Sequence, residues 1–220
     1  MKILLSEQQF NKLPEREIEE VYPPSWSLDE FKSISSYAGR LKYAATHLKR
    51  ISSGSSRVVY MVDNEKVLKI AKNRKGLAQN ETEISFGNDY VFADILANVY
   101  DSDEDNNIWV EMELARKVTD KIFKQITGVE MNVMSIYLIN RELDEKNSKR
   151  PRYNMSKEIK YEMDNNEFVM SIVDFMISLE SPAGDLGRLS SYGLVSRDGK
   201  ETIVLIDFGL TGDVYETYYT

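Results

Sequence analysis

Apolar and polar residues follow two different periods in the two halves of the chain. In the first half, short β-branched runs lie between polar turns at residues 57–62 and 66–71, and residues 108–114 alternate between apolar and polar. Alternation with a period of two predicts strands. In the second half, apolar residues recur at helical spacing at residues 118–139 and 168–179, which predicts helices. The pattern therefore predicts an α+β chain, in which a β-rich unit of about five strands and one helix precedes a helical unit.

The residues before the first predicted strand contain three helix starts. Residues 6–13 begin with a Ser-x-x-Gln capping box, and Ser27 with Glu30 repeats this type of pattern. A third helix is predicted for residues 36–41. We interpret residues 1–25 as an N-terminal extension that packs on the rest of the domain or on a partner protein.

A lysine within an apolar strand is the first candidate for chemistry. A strand at residues 48–52 leads into a turn of small residues at 52–56, and the strand at 57–62 leads out of it, which is a hairpin pattern. The next strand, at 66–71, carries Lys69 among apolar residues. Burying an unpaired ammonium is costly, so Lys69 is either paired inside the protein or reaches water from an edge strand.

The helix that follows offers this lysine a partner. Residues 80–86 have a helical pattern after a break at Gly76, and either Glu81 or Glu83 is placed to turn toward Lys69. The sequence does not distinguish the two glutamates.

An acid directly after a buried strand is the second candidate. Residues 142–160 are charged and are interpreted as an exposed loop, and Asp185 opens a loop after the last long helix. A hairpin then ends in the β-branched run 203–206, which Asp207 follows at once. Asp207 either binds a divalent metal, which prefers oxygen ligands, or lies in an ordinary polar turn. Gly209 is expected to allow a sharp turn.

Composition excludes several classes of function. The 220 residues include no cysteine and one histidine, His47, so a disulfide framework, a cysteine metal site and a Ser-His-Asp triad are not expected. A net charge of −8 argues against a broad nucleic-acid surface. No apolar run reaches the roughly 18 residues of a membrane span, and the N-terminus lacks a signal-peptide core. We expect a cytoplasmic protein that binds neither membrane nor nucleic acid.

In their order along the chain, these features resemble the protein-kinase-like fold, including its relatives the small-molecule phosphotransferases. The resemblance spans about residues 48–212 and ends in Asp207-Phe208-Gly209, which matches the metal-binding sequence of the family. It implies two lobes: a β-sheet N-lobe with one helix at residues 26–115, and a reduced helical C-lobe at 116–220.

The resemblance also implies a role for each candidate residue. The residues that it implies for nucleotide binding are Gly54, Ser55, Ser56, Lys69, Glu81, Glu83 and Glu113. Glu113 lies where the hinge between the lobes is expected. Asp185 matches the catalytic aspartate that orients or deprotonates an acceptor hydroxyl, with Lys69 as the second catalytic residue, and Asp207 would hold Mg²⁺.

The implied function is an ATP- and Mg²⁺-dependent phosphotransferase with a hydroxyl acceptor. The chain departs from the family in having Ala183-Gly184 before Asp185 and no asparagine at residues 186–192. The sequence printed here also ends soon after Gly209, which leaves no room for the family's later C-lobe helices.

These departures keep two other interpretations open. One is a catalytically inactive pseudokinase that acts as a structural or host-interaction module. Residues 1–10 resemble the starts of tailed-phage proteins, so the location of such a module would be the host cytoplasm or the virion. The other is an α+β interaction protein of a different fold, for which Lys69 and Asp207 would lie far apart.

Overall fold

A computed structural model describes residues 25–87 and 89–219 of the protein. The extension predicted at residues 1–25, with its helix at 6–13 and the phage-like start, therefore falls almost entirely outside the described residues. No helix in the described ranges combines the length and the apolar character that crossing a bilayer requires.

A five-stranded antiparallel sheet forms the first half of the structure, as the sequence predicted. Its spatial order is β1-β2-β3-β5-β4. The strands are β1 (Lys49–Ser53), β2 (Arg57–Met61), β3 (Lys66–Ala71), β4 (Val99–Ser102) and β5 (Trp109–Glu113). Two helices, α1 (Leu28–Ser33) and α2 (Tyr37–His47), precede the sheet, and α3 (Arg74–Phe86) follows β3.

Helices and one hairpin form the second half. The helices are α4 (Asp120–Thr127), α5 (Met131–Glu145), α6 (Lys157–Asp164), α7 (Glu167–Ser178), α8 (Ala183–Leu186) and α9 (Gly212–Tyr219). The short strand β6 (Arg116–Lys117) pairs with the hairpin of β7 (Tyr192–Arg197) and β8 (Lys200–Leu205). The chain thus has the α+β architecture that was predicted, with an antiparallel sheet in the first half and helices in the second.

Both faces of the main sheet are covered by apolar side chains. On one face, α1 and α2 bury Trp26 and Phe31 against Trp109, whose ring lies edge-on to that of Phe31 at 5.7 Å. On the other face, Val110 and Met112 join the large core of the second lobe. The prediction that the strand at 108–114 is half-buried was therefore wrong, because the helices before the sheet cover its second face.

The segment before β4 meets the hairpin of the second half beside the candidate acid. Leu205, the last residue of β8, forms an isolated parallel bridge with Leu96. Its N–H donates to the carbonyl of Ile95 at 2.7 Å, and its carbonyl accepts from the N–H of Ala97 at 2.9 Å. These hydrogen bonds fix the end of β8, and with it the backbone that carries Asp207.

Helix α3 begins earlier than the sequence predicted, and Gly76 lies inside it. The Asn73 side chain caps the helix by accepting from the N–H of Gly76 at 3.2 Å. A Cβ at Gly76 would lie 2.3 Å from the carbonyl oxygen of Ser56, so this glycine allows helix and turn to approach closely. The glycine that was interpreted as a break is a packing requirement.

Three other local predictions needed correction. Residues 142–160 are not a continuous loop, because α5 extends to Glu145 and Ser156 caps α6, which buries Met163. Asp185 lies in the short helix α8, whose Ala183 and Leu186 are buried, and not at the start of a loop. Gly209 has no left-handed backbone; a Cβ there would lie 2.4 Å from the carbonyl oxygen of Gln79, so it allows close packing on α3.

We predict that Gly76→Ala destabilises the protein and that Gly184→Ala does not. Both glycines are helical, but nothing lies within 4 Å of a Cβ at Gly184. We expect Gly76→Ala to lower the free energy of unfolding by about 1–3 kcal/mol through overpacking. Gly184→Ala should leave it unchanged or raise it by less than about 1 kcal/mol. Urea denaturation of both variants measures this, and equal effects would contradict the packing role of Gly76.

Candidate active site

A cavity of about 560 Å³ lies between the main sheet and the β7–β8 hairpin. One end is apolar, and the other end carries charged side chains. The apolar end is lined by Ile51, Val59, Val67, Ala97, Met112, Leu114 and Ile206. The charged end is lined by Arg57, Lys69, Asp185, Arg188 and Asp207. A cleft with these two ends suits a ligand with a flat apolar part and an anionic part.

Lys69 and Glu83 form a buried ion pair at the charged end. The Lys69 Nζ lies 3.0 Å from each carboxylate oxygen of Glu83 and donates to the carbonyl oxygen of Ile206 at 2.6 Å. Glu83 is fully buried. Burial lowers the pKa of Lys69, and the nearby charge of Arg57 lowers it further, although Glu83 and Asp207 act in the opposite direction. Lys69 is therefore paired inside the protein and does not reach water from an edge strand.

The structure adds Arg57, which the sequence analysis missed as a site residue. Its guanidinium is buried, lies 2.6 Å from a Glu83 carboxylate oxygen and also pairs with Asp207. Burial alone lowers the pKa of Arg57, but the charges of Glu83 and Asp207 outweigh burial and the pKa is raised. Its place comes from strand pairing: β2 pairs with β3 so that Val59 lies opposite Lys69, and Arg57, two residues away, lies on the same face.

Arg57, Lys69, Glu83 and Asp207 form one cluster, which we call the charge cluster. Two cations and two anions share it, so its formal charge is zero. The carboxylate of Glu83 contacts both cations and is the least exposed member. Removing one member of such a cluster leaves a buried charge without compensation, which is more costly than never forming the pair.

Each of the two candidate acids is paired with an arginine. Asp207 pairs with Arg57 and is otherwise open to solvent, with 61% of its side chain exposed. Asp185 lies 2.9 Å from the guanidinium of Arg188. Partial burial raises the pKa of Asp185, and the negative charge of Asp207 adds to this, while Arg188 opposes it.

The small-residue turn is held in place at the mouth of the cavity. Gly54, Ser55 and Ser56 all line the cavity. Lys72 Nζ donates to the carbonyl of Gly54 at 2.7 Å, and Ser56 Oγ donates to Gln79 Oε1 at 2.6 Å. The structure thus brings these three residues together at the wall of the cavity.

Glu113 and Glu81, the other two glutamates predicted to bind a nucleotide, have different surroundings. Glu113 lines the cavity, but its carboxylate accepts from Arg197 at 2.6 Å and from the N–H of Asn98 at 3.1 Å. This carboxylate therefore joins β5 to β7. Glu81 is exposed and lines a separate cavity between α3 and α9. Of the two glutamates left open as partners of Lys69, the structure therefore has Glu83, which lies on the helix face toward β3.

The C-terminal helix lies at the mouth of the cleft. Tyr215 and Tyr219 of α9 line the cavity, and their rings stack with centroids 5.8 Å apart. Lys75 Nζ lies 3.7 Å from the ring centroid of Tyr219, and Gln79 Nε2 donates to its hydroxyl at 3.3 Å. These contacts hold α9 against α3, so that its tyrosines form part of the wall at the entrance to the cavity.

The donor set does not fit the magnesium ion that the resemblance implied. Among residues 25–87 and 89–219, no group of three or more acids or histidines could hold a metal ion. The one acid at the expected position, Asp207, is already neutralised by Arg57. Mg²⁺ requires near-octahedral oxygen ligation, and a carboxylate that already pairs with a guanidinium supplies little of it.

We predict that Glu83→Gln destabilises the protein strongly and that Glu81→Gln does not. The first change leaves Lys69 and Arg57 buried with one carboxylate fewer. We expect a loss of about 3 kcal/mol or more in the free energy of unfolding. For Glu81→Gln, exposed on the same helix, we expect a change within about 0.5 kcal/mol. Chemical denaturation compares the two variants, and a larger effect at Glu81 would contradict the assignment.

No protein-family model and no curated protein matches this sequence. Solved structures do match. One is APH(2")-IIa in a ternary complex with streptomycin and ATP, at 14% identity and a TM-score of 0.34, over 82% of this chain and 74% of that chain. Another is the aminoglycoside phosphotransferase APH(2'')-Ib bound to ADP, at 13% identity and a TM-score of 0.34, over 82% and 72%. A third is SAICAR synthase from Saccharomyces cerevisiae, at 10% identity and a TM-score of 0.34, over 73% and 72%. The matching structures thus include small-molecule phosphotransferases, the class of protein that the sequence was predicted to resemble.

Proposed function

We propose that the cleft binds a nucleoside triphosphate such as ATP, and that the protein transfers its terminal phosphoryl group to a hydroxyl acceptor. The observation that carries this proposal is the buried Lys69–Glu83 pair, which lies at the charged end of a two-ended cleft. A buried lysine is expensive to maintain, and such perturbed groups in clefts are concentrated at functional sites.

Different parts of the cleft wall would bind the base, the phosphates and the acceptor hydroxyl. The apolar end takes the base, and the turn Gly54–Ser56 lies over the phosphates. Lys69 and Arg57 supply the positive charge that compensates the phosphate oxygens. Asp185, at the cleft wall, accepts the proton of the acceptor hydroxyl as its oxygen forms the new bond to phosphorus and the bond to the leaving diphosphate breaks.

The raised pKa of Asp185 is consistent with that role. A carboxylate whose pKa is raised toward neutrality is a stronger base when ionised. No step of this proposal passes through a metal ion, because the described donor set does not fit one.

A second candidate function is binding without transfer, as in a pseudokinase. The pairing of Asp185 with Arg188 at 2.9 Å favours it, since a neighbouring guanidinium lowers the pKa of a carboxyl group and makes the carboxylate a weaker base. The protein would then act as a nucleotide-dependent binding module. A role in a phage particle or on a host protein, through residues 1–25, stays a prediction.

We predict that ATP raises the melting temperature and that adenosine does so much less. Binding to the native state alone stabilises it by mass action, by about 2.7 kcal/mol at a ligand concentration of one hundred times Kd. Lys69→Met should reduce the ATP-induced shift, whereas Lys42→Met, at an exposed position on α2, should leave it intact. Equal shifts with ATP and adenosine would contradict phosphate recognition, and no shift with either would contradict the proposed function.

We predict that Asp185→Asn abolishes phosphoryl transfer and retains nucleotide binding. The amide has nearly the same shape but takes no proton, and loss of a general base typically costs about 10²–10⁴ in rate. Phosphate release from ATP to water, and transfer to a panel of hydroxyl compounds, gives the rate; thermal melting gives the binding. Binding without any turnover in the wild type would favour the pseudokinase interpretation.

A further inference from the structure

We propose that Arg57 takes the place of a divalent metal in this cleft, so that the polyphosphate of a nucleotide binds without one. This inference rests on the proposed nucleotide binding and specifies which residue makes it work. Arg57 pairs with the acid expected to hold the metal ion, and its side chain lines the cleft.

The first argument is position. Asp207 is the acid that the kinase-like resemblance assigns to a metal ion, and in this structure Arg57 pairs with it. Arg57 also lies 2.6 Å from the Glu83 carboxylate and 3.4 Å from Asn80 Oδ1. Two residues of α3 and one residue after β8 therefore contact the guanidinium and fix its position.

The second argument is charge. Lys69, Glu83 and Asp207 alone sum to −1, which disfavours a polyphosphate and would call for a divalent cation. Arg57 brings the charge cluster to zero with no added ion. Because the pKa of Arg57 is raised above its ordinary value, this charge is present at every physiological pH.

The third argument is the supply of hydrogen-bond donors. The three N–H groups of Lys69 are matched by two Glu83 oxygens and the carbonyl of Ile206. Arg57 has five N–H groups, and within the described part of the chain Glu83, Asn80 and Asp207 account for three of them. The remaining two have no partner among the described residues, and the Arg57 side chain lines the cavity, so they can donate to phosphate oxygens. We therefore infer that Arg57 contacts the phosphates directly.

The experiment compares nucleotide affinity with and without metal. Isothermal titration of ATP into the wild-type protein is run in excess EDTA and in excess MgCl₂ at matched ionic strength. We expect dissociation constants that agree within about threefold. An affinity in EDTA weaker by about a hundredfold or more would overturn the inference. Addition of Mn²⁺ alone, followed by electron paramagnetic resonance, should show no bound ion, and a tightly bound ion would also contradict it.

Three variants test whether Arg57 is the residue that makes nucleotide binding independent of metal. Arg57→Gln should weaken binding in EDTA by about tenfold or more and make binding respond to Mg²⁺, because Asp207 is then released. Arg57→Lys, which keeps the charge and loses the fork, should retain metal-independent binding at reduced affinity. Arg50→Gln, at an exposed position on β1, is the matched control and should behave as the wild type. Wild-type affinity of Arg57→Gln in EDTA would overturn the inference; circular dichroism confirms that each variant is folded.

A second ligand separates failure of this inference from failure of the proposed function. If the wild type binds no ATP in either buffer, the proposed function fails, and inorganic tripolyphosphate is titrated in its place. Binding of tripolyphosphate in EDTA that Arg57→Gln removes supports an Arg57 anion site without a nucleotide function. Absence of tripolyphosphate binding overturns both.

Discussion

The carboxylate of Glu83 is the interaction on which the candidate site depends. It is fully buried on α3 and contacts the two cations that β2 and β3 bring to the same face of the sheet. Without it, Lys69 and Arg57 would be two buried like charges with one carboxylate fewer, and burying them would cost considerably more free energy. The position of α3 against the sheet is therefore set by charge as much as by packing, and Gly76 and Gly209 remove the side chains that would hold the helix away.

The same cluster joins the two lobes. Lys69 donates to the carbonyl of Ile206, and Arg57 pairs with Asp207, so both cations of the first lobe bind the segment that leaves β8. Leu205 is bonded in turn to residues 95–97. The cleft thus lies between elements that are already connected at its charged end, while its apolar end is shaped by side chains of β1, β2, β3 and β5. A ligand that compensated the two cations would change the contacts between the lobes directly.

Much of the fold and part of the site could be predicted from local pattern. The strand order along the chain, the lysine within an apolar strand and the acid after a buried strand are each visible within a few residues. What failed were the inferences that needed a neighbour in space. The sequence showed alternation at residues 108–114, but α1 and α2 cover the polar face. It left Glu81 and Glu83 open, because the helix starts at Arg74 and its orientation is set by packing. Arg57 was read as part of a hairpin, although strand pairing with β3 directs it to the charge cluster.

The sequence by itself determined the class of fold, the absence of cysteine chemistry, and the presence of Lys69, Asp185 and Asp207 in a kinase-like order. It could do so because hydrophobic periodicity and residue type are local properties. Only the tertiary structure decided that Glu83 is the partner of Lys69, that Arg57 pairs with Asp207, and that Glu113 pairs with Arg197. Those outcomes depend on electrostatic and packing contacts between residues up to 150 positions apart, as Arg57 and Asp207 are, which no local pattern records.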